Sequence, residues 1–133
     1  MKLLSRPAFF ISIFIFLVLL TGGAVSAQKG TSVVRRIKFA PGRTTAVLRG
    51  TVHRGVSHDY LLKARAGQTM SVHLVAGGEV NFMLFTPGRT EILAENAKDW
   101  SGELPQSGDY RINVLPDTTT ERNISYTLEV TVR

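Results

Sequence analysis

Apolar and polar residues alternate along most of the chain after residue 33, with a period of two. This period places alternate side chains on opposite faces of a β-strand. Turn signals rich in Gly and Pro separate the alternating segments, at residues 41–42, 66–67, 77–78, 87–88 and 107–108. Short strands at this spacing are typical of a sandwich or barrel. The pattern predicts one antiparallel β-sandwich of about eight strands.

The same alternation predicts which side chains form the core. Each strand of a sandwich buries one of its two faces against the opposite sheet. The residues expected inside are Tyr60, Leu62, Val72, Leu74, Phe82, Leu84, Ile112, Val114, Leu128 and Val130. Residues 90–98 break the alternation and form the one short helical candidate of the mature chain.

The first 27 residues have the pattern of a secretory signal peptide. Lys2 and Arg6 precede an apolar run over residues 8–20, and small residues at 25–27 precede Gln28. The alternative is a membrane anchor, but the run is shorter than the ~20 residues of a spanning helix. We therefore expect a signal peptide over residues 1–27 and a β-sandwich domain over residues 28–133. The mature domain would be periplasmic or extracellular, with no membrane anchor.

Composition narrows the function classes. The 133-residue chain has no cysteine, which excludes disulfides, thiolate metal sites and a Cys nucleophile. Its net charge is +6, and the cations are scattered rather than clustered on one segment. A nucleic-acid-binding protein usually concentrates its basic residues on one face. We therefore expect no nucleic-acid partner.

No set of residues predicts catalysis. The chain has no Gly-x-Ser-x-Gly elbow, no His-Glu-x-x-His and no Gly-x-Gly-x-x-Gly. His58 and Asp59 are neighbours, so on a strand they point to opposite faces and do not pair. The acids between residues 91 and 103 fall in an expected polar loop. The sequence therefore predicts that the protein is not an enzyme and has no metal or cofactor.

The most specific segment is Leu-Pro-Gln-Ser-Gly-Asp-Tyr at residues 104–110. A purely structural interpretation is available, because Gly108 accepts a positive φ at a strand entry. Tyr110 would then bury its ring and keep its hydroxyl on a polar partner.

With this motif the chain resembles the periplasmic inhibitors of g-type (goose-type) lysozyme. The resemblance extends from about residue 50 to residue 133 and rests on segments 59–60, 63–68, 72–74, 104–110, 114–115 and 126–132. It implies a β-sandwich that blocks the lysozyme active-site cleft with a loop, as a bacterial defence protein. The residues implied in target binding are Ser107, Gly108, Asp109, Tyr110 and Arg122. Thr118 stands where the family has a second arginine.

A strand over residues 111–115 separates the Ser-Gly-Asp-Tyr segment from Arg122. The two can form one contact patch only if residues 116–123 fold back along the strand.

The chain is also similar to the bacterial pre-peptidase C-terminal domain group. That resemblance implies a different function, a stand-alone module that binds a polymer or glycan. Such a module would need a surface platform of aromatic residues, for which Trp100, Phe85 and Phe39 are the candidates.

Overall fold

The computed structural model describes residues 30–133, which form nine β-strands and one short 3₁₀ turn. The expected signal peptide lies outside this range. The strands are β1 (Thr31–Arg36), β2 (Thr45–Val52), β3 (Val56–Ala64), β4 (Thr69–Ala76), β5 (Val80–Phe85), β6 (Ile92–Ala97), β7 (Asp99–Glu103), β8 (Gly108–Pro116) and β9 (Ile124–Val132); the 3₁₀ turn is Pro87–Arg89. Within the described part of the chain, no helix is long and apolar enough to cross a bilayer.

The strands form two sheets that pack face to face. One sheet has five strands in the order β1-β3-β8-β5-β6, and the other has four in the order β2-β9-β4-β7. All pairs between neighbouring strands are antiparallel except β1 with β3, which is parallel. The predicted β-sandwich is confirmed, with nine strands rather than about eight.

The core lies between the two sheets, where the alternation placed it. All ten residues predicted to be inside are buried, and Tyr60, Leu62, Phe82 and Leu128 are completely inaccessible. Leu104 and Tyr110 close the core near the start of β8. Strands β3, β4, β5, β8 and β9 contribute alternate side chains to this layer, as expected for half-buried sheets.

The helical candidate at residues 90–98 is wrong. The segment forms β6, which pairs with β5 through an irregular register, and the chain then enters β7. The polar loop expected between residues 91 and 103 is wrong for the same reason, because Glu95, Asp99 and Glu103 lie on strands. Leu93, Ala94 and Glu95 are good helix formers, but the segment is short, and its pairing with β5 outweighs its helix propensity.

Strand β1 departs from the alternation in a different way. All six of its residues are exposed, so neither of its faces is covered. It lies at the edge of the five-stranded sheet, with a hydrogen-bonded neighbour on one side only. Its residues therefore form a strand without burying either face.

Candidate functional site

The loop at residues 104–107, between β7 and β8, is held by backbone hydrogen bonds to the turn between β3 and β4. The Gly67 N–H donates to the Leu104 carbonyl (2.9 Å), and the Leu104 N–H donates to the Gln68 carbonyl (2.8 Å). Leu104 is also buried in the core. The loop therefore starts from a fixed point.

Ser107 and Tyr110 fix the other half of the loop. The exposed Ser107 accepts a hydrogen bond from the Ala66 N–H at its Oγ (2.9 Å). The Tyr110 hydroxyl donates to the Gln106 carbonyl (2.6 Å) and accepts from the Gln106 N–H (3.1 Å). Tyr110 itself is fully buried. Its role in the loop is therefore to hold the backbone, while Ser107 remains at the surface.

Gly108 begins β8 with a φ of +142°. A Cβ at this position would lie 2.9 Å from Pro87 Cβ, in the 3₁₀ turn. Real Cβ contacts are not this short, and a positive φ is costly for residues other than Gly. Only glycine therefore lets the loop pack against the 3₁₀ turn in this conformation.

Asp109 is exposed on the outer face of the five-stranded sheet and is paired with Arg36. The Arg36 Nη1 and Nη2 atoms donate to the two carboxylate oxygens, both at 2.8 Å. The hydrogen bonds from Arg36 lower the pKa of Asp109, and the same pair raises the pKa of Arg36. Both side chains are nearly half exposed. The pair orients Asp109 but is too exposed to contribute much to stability.

Arg122 lies far from Ser107. It is exposed in the loop between β8 and β9, beside Glu79 and Ile124. The other end of β8 meets the Ser107 loop, and a nine-residue strand is about 26 Å long at ~3.3 Å per residue. The connecting loop stays at its own end of the sandwich, where the Asp117 N–H donates to the Glu79 carbonyl (2.7 Å). The single patch of Ser107 and Arg122 considered from the sequence is therefore not formed.

Three exposed cations lie on segments next to the Ser107 loop, and none of them was named as a site residue from the sequence. Arg65 adjoins Ala66, which holds Ser107, and Lys63 pairs across the sheet with Asp109. Arg89 ends the 3₁₀ turn, with its guanidinium over the Phe85 ring (5.4 Å to the centroid). We name Ser107, Lys63, Arg65 and Arg89 the Ser107 rim. The strand register that assembles the rim could not be obtained from spacing alone.

A buried carboxylate supports this rim from the outer face of the five-stranded sheet. Asp59 is only 4% exposed and accepts hydrogen bonds from Arg111 Nη1 (2.5 Å), Asn113 Nδ2 (2.5 Å) and Ser32 Oγ (3.0 Å). Arg89 lies 3.7 Å from the same carboxylate. Asp59 thus links strands β1, β3 and β8 to the 3₁₀ turn. It is saturated with donors and serves as a structural anchor.

The neighbouring His58 points the opposite way, into the core, as expected. Its Nδ1 shares a hydrogen bond with the Tyr126 hydroxyl (2.5 Å), which in turn shares one with the Tyr60 hydroxyl (2.5 Å). Burial, with a smaller effect of Arg35, lowers the pKa of His58, and burial raises the pKa of Tyr126. Both shifts favour neutral side chains, so the cluster is a satisfied polar part of the core.

The three aromatic candidates for a glycan platform do not share a surface. Trp100 lies in the four-stranded sheet and packs partly against the core. Phe39 lies in the connection between β1 and β2 and also packs against the core. Phe85 lies on the five-stranded sheet beneath Arg89. A stacking platform needs exposed aromatic rings side by side, and these three residues do not provide one.

Comparisons with known proteins identify relatives through structure only. No family model matches the chain, and no curated protein is significantly similar in sequence. The structure is similar to PliG from Aeromonas hydrophila, a periplasmic lysozyme inhibitor of g-type lysozyme, with 29% identity and a TM-score of 0.71 over 77% of this chain and 97% of that one. It is also similar to PliG from Salmonella Typhimurium, with 22% identity and a TM-score of 0.63 over 77% of this chain and 100% of that one.

A third similar structure is the pre-peptidase C-terminal domain of collagenase from Bacillus anthracis. It has 14% identity and a TM-score of 0.53, covering 77% of this chain and 97% of that domain. At this identity the match concerns the fold alone. Both family resemblances stated from the sequence are thus confirmed. The chain has the fold of the PliG lysozyme inhibitors. Because these relatives are inhibitors, the similarity agrees with the prediction that the protein is not an enzyme.

Proposed function

We propose that this protein is a periplasmic inhibitor of g-type lysozyme that blocks the active-site cleft with its Ser107 loop. The observation that supports this most is the similarity to the Aeromonas hydrophila inhibitor over 97% of that protein's length, at 29% identity. An inhibitor of this kind needs a rigid protrusion and no catalytic group of its own.

The loop is well suited to that role because it is already ordered. Hydrogen bonds from Ala66, Gly67 and Leu104 hold it on the sandwich. A loop that is rigid before binding loses little conformational entropy on docking. Tyr110 and Gly108 would thus contribute to inhibition by fixing the shape of the loop. Asp109 lies beside the loop and is oriented by Arg36.

Ser107 is the proposed direct contact. Its exposed Oγ already accepts from the Ala66 N–H, and its hydroxyl donates no hydrogen bond to a group within residues 30–133. The hydroxyl can therefore donate to a target, as a serine side chain carries one donor and two acceptor positions. Arg65 of the Ser107 rim would face the carboxylates on which glycosidases rely, whereas the Arg89 guanidinium stays beside Asp59.

Arg122 would make a separate contact with the lysozyme, at the opposite end of the sandwich from Ser107. Its exposed guanidinium suits a charge-assisted hydrogen bond to an acidic group of the lysozyme. Because about 26 Å of strand separates it from Ser107, the two residues would engage different parts of the target. Their contributions to binding should then be additive.

Location in the periplasm requires export, and we propose cleavage between Ala27 and Gln28. Small residues at positions 25–27 after the apolar run support this site. Mass spectrometry of the exported protein should find Gln28 as the first residue. Recovery of the full-length chain in the membrane fraction would contradict it.

The experiment for the proposed function is an inhibition assay with residues 28–133 against a goose-type lysozyme, with a chicken-type lysozyme for specificity. The wild type should inhibit the first and spare the second. Ser107→Ala should weaken inhibition about tenfold or more, equal to at least about 1.4 kcal/mol of binding free energy. Ser125→Ala is the matched control, because Ser125 is also exposed but lies on the four-stranded sheet.

The assay extends to Arg122 with Arg49→Ala as the control arginine, since Arg49 is exposed on β2. Arg122→Ala should weaken inhibition, and the Ser107→Ala/Arg122→Ala double variant should lose the sum of the two effects. Circular dichroism confirms that each variant is folded. If the wild type inhibits no g-type lysozyme, the proposal is wrong.

The second candidate is a module that binds a polymer or glycan. The fold match to the Bacillus anthracis domain favours it, whereas the scattered aromatic residues do not. Pull-down with insoluble peptidoglycan or collagen tests this function directly. Binding to either polymer without lysozyme inhibition would move this candidate to first place.

A further inference from the structure

The edge strand β1 exposes a row of backbone hydrogen-bonding groups. In a parallel pair, the N–H and C=O of one residue point to the partner strand, and those of the next residue point away. The Thr31 N–H donates to the Gly55 carbonyl (2.7 Å), and the Ile37 N–H donates to the Leu61 carbonyl (2.8 Å). The odd-numbered residues therefore bond to β3. The backbone groups of Ser32, Val34 and Arg36 point away from the sheet.

The side chains of β1 are equally uncovered. Val33 is 37% exposed on the inner face, and Val34 is 53% exposed on the outer face. Every other strand of residues 30–133 has at least one buried or half-buried residue, but β1 has none. Natural sheets usually shorten, bend or cover such an edge, because it is a template for pairing with another strand.

We propose that β1 pairs with β1 of a second copy of the chain, in an antiparallel arrangement about a two-fold axis at Val34. This pairing would join the two five-stranded sheets into one sheet of ten strands. It would be an isologous contact, the commonest interface type of homodimers.

The side chains of β1 select this register. With Val34 opposite its own copy, Ser32 faces Arg36 of the other chain. All three outward residues of each chain then bond in the pairing, which gives about six backbone hydrogen bonds. A two-fold axis at Arg35 would place Arg35 opposite Arg35 of the other chain, and this contact between like charges is unfavourable. An axis at Val33 would pair Arg36 with residue 30, which lies before the start of β1, so the backbone groups of Arg36 would have no strand partner.

The expected dimer is weak. A six-residue strand edge is small compared with the ~800 Å² per partner of a stable complex, so we expect a dissociation constant in the micromolar to submillimolar range. Sedimentation equilibrium of residues 28–133 should show a mass that rises from monomer to dimer with concentration. A monomeric mass at all concentrations up to about 1 mM would overturn the proposal.

Cysteine cross-linking tests the register, because the chain contains no cysteine of its own. Residues opposite each other in an antiparallel pair have Cα atoms about 5.5 Å apart, within the range of a disulfide. A Val34→Cys variant should form a covalent dimer under mild oxidation at least tenfold faster than Val75→Cys. Val75 is a matched control, since it is 56% exposed and lies on the four-stranded sheet.

A Val33→Cys variant distinguishes this register from its neighbour. In the proposed pairing the two residues 33 lie diagonally, about 8 Å apart, which is too far for a disulfide. Val33→Cys should therefore cross-link no faster than Val75→Cys. Cross-linking of Val33→Cys at the rate of Val34→Cys, or of Val34→Cys at the rate of Val75→Cys, would overturn the proposed pairing.

A charge substitution tests the pairing without oxidation. Val34→Lys would place two ammonium groups opposite each other at the two-fold axis and should shift sedimentation to the monomer, whereas Val75→Lys should sediment as the wild type does. If Val34→Lys dimerises like the wild type, the proposal is wrong. None of these measurements uses lysozyme, so they are independent of the proposed function.

Discussion

Tyr110 shows how much of the loop depends on one hydroxyl group. This buried hydroxyl bonds to both the N–H and the carbonyl of Gln106. Tyr110→Phe keeps the ring and removes these bonds, leaving two backbone groups without their partner. We expect a loss of about 1–3 kcal/mol in the free energy of unfolding, measured in urea, together with weaker lysozyme inhibition. Unchanged stability would mean that other contacts hold the loop.

His58 should make stability depend on pH. Burial lowers the pKa of the folded His58 below its value of about 6.5 in the unfolded chain. The unfolded state therefore binds more protons below that pH, and the stability present at pH 7.5 decreases as the pH falls through 6.5 towards the folded pKa.

The measurement compares the free energy of unfolding at pH 7.5 and pH 5. The loss on acidification should be smaller in His58→Gln, which cannot gain a proton in this range. His73→Gln is the control, because His73 is exposed and pairs with Asp99 at the surface. An equal loss in the wild type and His58→Gln would contradict the role given to His58.

At the scale of the element, Gly108 determines how β8 begins. Gly108→Ala forces a Cβ onto a residue with a φ of +142° and a 2.9 Å approach to Pro87. We expect a loss of about 1–3 kcal/mol in stability. The control is Gly77→Ala, where an added Cβ meets no atom within 4 Å. Equal stability of the two alanine variants would show that the 3₁₀ turn moves away at little cost.

The sequence predicted a strand correctly where one of its faces is apolar and buried and the other is more polar. Strands β3, β4, β8 and β9 bury one face against the opposite sheet and carry more polar residues on the other, so period two identified both the strand and its core residues. Strand β6 contains the good helix formers Leu93, Ala94 and Glu95, yet it gains a strand conformation by pairing with β5, which a local pattern does not reveal. The parallel pairing of β1 was missed because it depends on contacts distant in sequence.

The candidate site was predictable only in part, for the same physical reason. The loop motif at residues 107–110 is contiguous, so the sequence located it and indicated that Gly108 needs a positive φ. Arg65 and Arg89 come to the loop through strand register and the 3₁₀ turn, and no sequence spacing encodes that approach. The separation of Arg122 from Ser107 follows from the length of β8.

At the scale of the whole molecule, the sandwich depends on a core built without disulfides. Leu128 lies in the middle of β9, paired with Leu48 of β2 and Leu74 of β4, and is fully buried. Leu128→Ala removes apolar contacts and leaves a cavity between the sheets, so we expect a loss of about 2–5 kcal/mol. A small domain has only about 5–15 kcal/mol of stability in total.

Urea unfolding of residues 28–133 measures this loss, with Val75→Ala as the control because Val75 is 56% exposed on the neighbouring strand. The control should change stability by no more than about 0.5 kcal/mol. A comparably small change in Leu128→Ala would mean that the sheets repack around the deletion. A large loss would show instead that the sandwich, which carries the Ser107 loop, depends on close packing between its two sheets. No disulfide is available to stabilise the sandwich in place of that packing.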